Sequence, residues 1–117
     1  MSLKLDAHEV SGVTVLACAG RIAFGDEATA LRDRVKSLLN STKSIILNLS
    51  GVSNIDSGGL GTLVGLYSSA RAGGADIKLT GLGPRLRDVL AITKLSTVFE
   101  VYDTEAQALA AFQQGLG

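Results

Sequence analysis

The stretch Ile45-Ile46-Leu47-Asn48-Leu49-Ser50-Gly51-Val52-Ser53-Asn54-Ile55-Asp56-Ser57-Gly58-Gly59-Leu60-Gly61 sets the fold through the order of its residue types. Residues 45–49 are nearly all β-branched or leucine, as in a central strand covered on both faces. A loop is expected from Ser50-Gly51 to Asp56-Ser57, after which Leu60, Leu63, Val64 and Tyr67 recur at helical spacing. Ser57 then stands at the mouth of that helix. Unpaired backbone N–H groups and the positive end of the helix dipole favour anions there, so a phosphate carried by its hydroxyl would be well accommodated.

Towards the N-terminus, residues 3–10 read as an edge strand, Ser11-Gly12 as a turn and residues 13–19 as a second strand that ends at Gly20. These two strands are expected to pair as a hairpin. Residues 21–25 then connect to a helix that Asp26 is placed to cap, with Ala28, Leu31, Val35, Leu38 and Leu39 on its buried face and an end near Asn40-Ser41.

Towards the C-terminus, the helix after Ser57 carries Gly61 and Gly65 four apart, a spacing that predicts close backbone packing against the sheet. Gly73 and Gly74 supply its left-handed C-cap and turn. A strand over 76–80 follows, then a short helix opened by Pro84, with Leu86, Val89 and Leu90 inward and Arg85, Arg87 and Asp88 outward. Residues 98–102 form the last predicted strand. Thr104 and Gln107 make a capping box for the final helix, docked by Ala106, Leu109, Ala110 and Phe112. Repeated strand-helix-strand units imply parallel pairing with right-handed crossovers. The expected fold is therefore α/β: one domain over residues 1–117, with a mixed central sheet of initial hairpin plus parallel strands, packed with about four helices.

Composition narrows the function. Eleven basic and eleven acidic residues cancel, which gives no general pull towards nucleic acid or a membrane surface. No apolar run is long enough for a secretory signal or a membrane span. Three Phe, two Tyr and no Trp leave no aromatic row for stacking bases. Cys18 is the single cysteine, and its place in an apolar strand suits a buried thiol in a reducing compartment, with cytoplasm as the expected location.

Several chemistries lack their residues. A hydrolase elbow needs glycine two positions before the serine, and Ile55 stands there. His8 is the only histidine and reads as a solvated edge-strand residue rather than a catalytic base. No Gly-Lys pair exists for a P-loop, and Val64 stands where a dinucleotide fingerprint needs its third glycine. One Cys and one His cannot make a zinc cluster, and no carboxylate run has calcium spacing, so neither metal nor cofactor is expected.

The Ile-Asp-Ser-Gly-Gly-Leu-Gly run after an Ile-Ile-Leu-Asn-Leu strand resembles the phosphorylation loop of anti-sigma-factor antagonists. These are the single-domain members of the STAS (sulfate transporter and anti-sigma-factor antagonist) family, and the resemblance extends over essentially the whole chain. Family members often carry Ser, Thr or Ala where Gly58 stands. Their earlier loop commonly reads Gly, any residue, an aliphatic, then Asp; Ala23 takes the place of that Asp here, and Asp26 or Glu27 could supply a carboxylate nearby.

The resemblance implies a binding module that is not an enzyme. Unphosphorylated at Ser57, such a protein docks on an anti-sigma factor with serine kinase activity and frees a sigma factor; phosphorylation releases it and a serine phosphatase restores it. The implied contact residues are Asp56, Ser57, Gly58, Gly59, Ala23, Phe24 and Asp26. Beside that role, Ser57 also reads as a plain N-cap, which is compatible with phosphorylation, and Asp56 as a loop-turn residue or as the group orienting the serine hydroxyl. The alternative within the fold is a STAS subunit of a lipid-transport ABC system or of a sensory complex.

Overall fold

Five strands share one sheet in the spatial order β1-β2-β3-β4-β5 in the computed structural model, which describes residues 3–114. β1 (Leu3–Val10) and β2 (Val13–Ile22) form the antiparallel hairpin. β3 (Ser44–Ile55), β4 (Asp76–Thr80) and β5 (Val101–Tyr102) continue from β2 in parallel. The helices are α1 (Asp26–Leu38), α2 (Ser57–Ala72), α3 (Pro84–Ile92) and α4 (Glu105–Gln114), with a 3₁₀ turn over Leu95–Thr97.

The first half of β3 is buried on both faces, as its composition predicts. Ile45, Leu47 and Leu49 join Leu31, Val35, Leu63 and Leu86 in the core under α1, α2 and α3, while Ile46 packs with Val13, Val15 and Ala108 under α4. Two layers of helix therefore enclose the sheet.

Both strands that lead to the candidate loop are longer than expected. β2 passes through Gly20 to Ile22, and β3 passes through Ser50-Gly51 to Ile55, the two pairing across irregularities at Ala17/Ala19 and Gly20/Arg21. Ser, Gly and Asn have turn chemistry in isolation, but ladder pairing to a neighbouring strand overrides local preference. The last strand is shorter than expected, because Val98 follows the 3₁₀ turn and Phe99 instead turns into the core, its ring edge-on to Tyr67 at 5.3 Å.

Helix ends show the same mixture. Gly74 is left-handed at φ +82° while Gly73 is not, at φ −90°. The capping box of α4 forms: Gln107 N–H donates to Thr104 Oγ1 at 3.1 Å, and Thr104 N–H to Gln107 Oε1 at 3.3 Å. Ala108, Leu109 and Phe112 dock α4, whereas Ala106 and Ala110 are exposed. Alanine fits either face, so its presence does not fix the helix phase.

Lys78 was not singled out by the sequence. β4 places it opposite Ile46, on the face covered by α4, where Nζ donates to Glu100 at 2.6 Å and Asp76 at 2.9 Å and lies 4.6 Å from the Phe112 ring centre. Burial pulls the ammonium pKa down, but the two carboxylates outweigh it and leave it raised.

Candidate functional site

The site forms where β2 and β3 end side by side. Ile22 pairs with Ile55, and Asp56 N–H donates to the Ile22 carbonyl at 3.3 Å, so the loop after β2 meets the start of α2 at the C-terminal edge of the parallel strands. Crevices at that edge are the usual ligand positions of open α/β sheets.

Asp56 holds the two segments together. Both its carboxylate oxygens accept from Phe24 N–H at 3.0 Å, and Oδ1 also accepts from Gly59 N–H at 2.8 Å. Asp56 is thus the N-cap of α2, with extended backbone at φ −100° and ψ −179°, and Ser57 is the first helical residue. The expectation that Ser57 caps the helix is corrected: the Asp one position earlier has the extended backbone a cap needs and aims its oxygens at the third N–H beyond it. The Phe24 and Gly59 N–H groups, followed by Gly58 N–H and the Arg21 charge, outweigh desolvation and hold the Asp56 carboxyl below the ordinary 3.8.

Asp26 does not cap α1 either. Gly25 occupies the cap at φ +101°, a conformation suited to glycine, and Asp26 lies exposed as the first helical residue. Ala23 is half-buried and its carbonyl accepts from Ala28 N–H at 3.0 Å. Glu27 lies 4.0 Å from Arg21.

The glycines divide into two kinds. A Cβ on Gly59 would fall 2.0 Å from the Ile22 carbonyl oxygen, and one on Gly58 2.6 Å from Phe24 Cβ, so both residues stand where the β2–α1 loop presses against α2. Gly61 and Gly65, by contrast, have nothing within 4 Å of an added Cβ and are exposed. Their expected packing against the sheet is corrected: Leu60, Leu63 and Leu66 carry the buried face of α2, which turns the two glycines outward.

The surface that results places exposed Ser57 beside Phe24, 80% exposed. From there a groove of about 480 Å³ runs between α1 and α2, with Arg32 and Lys36 on one wall and Gly61, Gly65 and Ser69 on the other. Sequence reading missed this groove. Its signal was Arg32 and Lys36 one turn apart on α1, which becomes meaningful only once α2 is known to lie alongside.

His8 is exposed on the edge strand opposite Val15, roughly 23 Å along β2 from its end at Ile22 at about 3.3 Å per residue, so it does not reach Ser57. Cys18 is buried with its thiol pushed up to about 12 by desolvation. Among the described residues no helix is long and apolar enough to cross a membrane, and no group of three His, Cys, Asp or Glu is placed to hold a metal.

Comparison with known proteins gives this geometry relatives. A family model described as the STAS domain matches residues 4–108. The anti-sigma F factor antagonist of Paenibacillus polymyxa is 24% identical over 119 residues, 97% of each chain. A relative from Thermotoga neapolitana is 38% identical over 69 residues, and there the match spans 59% of this chain and 61% of that protein. The crystal structure of an anti-sigma factor antagonist from Mycobacterium paratuberculosis superposes with a TM-score of 0.82 at 26% identity, covering 94% of this chain and 93% of the other.

Proposed function

This chain belongs to the STAS domain family, and we propose that it is an anti-sigma-factor antagonist switched by phosphorylation of Ser57. Unphosphorylated, it docks on an anti-sigma factor that is also a serine kinase, and the sigma factor is freed to activate transcription. The kinase phosphorylates Ser57, the complex separates, and a serine phosphatase returns the protein to its binding form. The protein is then a ligand and a substrate in the cytoplasm, with no turnover, nucleic-acid contact or membrane insertion of its own.

One observation carries this reading. Asp56, not Ser57, caps α2, so the serine hydroxyl is not spent on the helix end and stands exposed beside Phe24. Ala23, Phe24, Asp26, Asp56, Ser57 and Gly58 supply the contact surface, and buried Gly59 shapes it from beneath. A phosphoserine adds about −1.5 to −2 charge. Inside a closed interface that charge, next to the Asp56 carboxylate, meets repulsion and a desolvation cost; on the free protein the positive end of α2 stabilises it. Both effects favour release.

The test is to mix the pure protein with the anti-sigma kinases of its own genome and ATP, then map phosphate on the bound and free fractions. The expected site is Ser57, enriched in the free fraction. A main site at Ser53, Thr62 or Ser68 refutes the assignment: Ser53 lies in β3, and Thr62 and Ser68 lie inside α2. ATP or GTP hydrolysis by the pure protein that is lost on changing Asp56 or Ser57 would overturn the binding-module reading itself.

A further inference from the structure

We infer that the groove between α1 and α2 receives an acidic helix of the partner protein, laid along α2 from Ser57 towards Ser69 with two carboxylates one turn apart on Arg32 and Lys36. This deepens the proposed function and rests on it, since it names the element of the anti-sigma factor that the Ser57 surface meets.

Charge gives the sign of the occupant. The groove lining holds Arg32 and Lys36 and, among the described residues, no carboxylate. Arg32 lies 3.6 Å from Asp33, but both side chains are more than half exposed, and such surface pairs exchange readily for a better partner. Arg32 and Lys36 sit at i and i+4 on α1, so they match a pair of carboxylates about 6 Å apart, the spacing of two acidic residues one turn apart on a partner helix.

Shape gives its form. Ser69 lies twelve positions after Ser57, about 18 Å of helix axis at 1.5 Å per residue, which three turns of a partner helix would cover. The α2 wall is low, because Gly61 and Gly65 face open space, so a partner backbone can approach closely. Nothing among the described residues explains glycine there: it weakens a helix, and an added Cβ would meet none of them within 4 Å. The groove is also continuous with Ser57 and with exposed Phe24, which stands at its mouth as an apolar anchor. A helix seated this way would hold the kinase against the serine that it modifies.

The experiment uses the full chain and the purified anti-sigma kinase that binds it. A photo-crosslinking phenylalanine analogue is placed at position 69, at the far end of the groove, and separately at position 24. Adducts are expected from both, with the one from position 69 mapping to a helical segment whose carboxylates are three or four residues apart. By calorimetry, the Arg32→Glu/Lys36→Glu double variant should lose at least tenfold in affinity and Gly65→Leu a similar amount. Arg34→Glu should change it less than twofold, because Arg34 turns away to the Leu5 carbonyl of β1. Lysines in place of the mapped carboxylates should restore binding to the double variant, a rescue that misfolding would not produce. Thermal melts check each variant.

Undiminished binding by both the double variant and Gly65→Leu overturns the groove while the Ser57 surface stands. An adduct on a segment without acidic residues does the same. If the wild-type protein binds no anti-sigma factor, the proposed function has failed and the inference falls with it.

Discussion

Gly59→Ala adds one methyl group where α2 begins, and the structure gives it a steep cost. The new Cβ would lie 2.0 Å from the Ile22 carbonyl oxygen, where ordinary contact begins at 3.4 Å. About 1.4 Å of movement is needed, and the atom in the way is backbone at the end of β2 rather than a flexible side chain. That carbonyl also accepts Asp56 N–H, so the shift disturbs the cap of α2 and the tether to Phe24 together. Overpacking of this kind costs about 1–3 kcal/mol, against about 0.5–1 kcal/mol gained by replacing glycine with alanine in a helix. The net, from no change to a loss of about 2.5 kcal/mol, corresponds to a melting temperature lower by up to about 10 °C for a chain of this size. Gly65→Ala is the matched control: the same helix and the same methyl, placed in open space. It should stabilise by about 0.5–1 kcal/mol, since only the helix propensity changes. Urea melts on the three proteins measure both signs. Equal stability of the two variants would refute the contact between Gly59 and β2, and with it the account of how the β2–α1 loop is held on the Ser57 site.

Ser57→Ala and Ser57→Asp should each leave stability within about 0.5 kcal/mol of wild type, because Asp56 carries the cap; partner affinity should fall for Asp and hold for Ala. Titration calorimetry that finds equal affinities would remove charge at position 57 as the switch. Asp56 has a folded pKa below 3.8, so its stabilisation is fully present above that value and is lost as pH falls through the lower folded pKa. The stability difference between wild type and Asp56→Asn should accordingly shrink as urea melts are taken from pH 6 down towards pH 3, and a constant difference would count against the carboxylate's role. Cys18, with its thiol raised to about 12 by burial, should resist thiol reagents at pH 8 in the folded protein and react promptly in denaturant. Fast labelling of the native state would contradict that burial.

The sheet was legible because its signals are long and redundant. Residues 45–47 are apolar at consecutive positions and Leu49 follows one polar residue later, a pattern that suits a strand covered on both faces, and the structure buries Ile45, Ile46 and Leu47 between the two helical layers. The capping box at Thr104 and Gln107 was legible for another reason: both halves of its reciprocal bond lie within four residues, so no distant partner decides it. The ends of β2 and β3 were not. Gly20, Ser50 and Gly51 carry turn chemistry, and whether they pair depends on the strand beside them, which local sequence does not contain.

The candidate site divides along the same line. The Asp-Ser-Gly-Gly run marks the loop, but which oxygen caps α2 is a matter of geometry. Two adjacent residues could each accept the helix N–H groups, and the choice falls to Asp56 because its carboxylate also meets Phe24 N–H, 32 positions earlier in the chain. That long-range tether gives Asp56 a structural duty and releases the Ser57 hydroxyl from one. The glycines invert the sequence expectation in a similar way. Gly58 and Gly59 are the close-packed ones, while Gly61 and Gly65, whose four-residue spacing suggested internal packing, line the wall of a groove beside Arg32 and Lys36. A spacing of four places two residues on one face of a helix and does not say which face. Here the leucines at 60, 63 and 66 decide it, since burying them leaves the glycines to whatever approaches from outside.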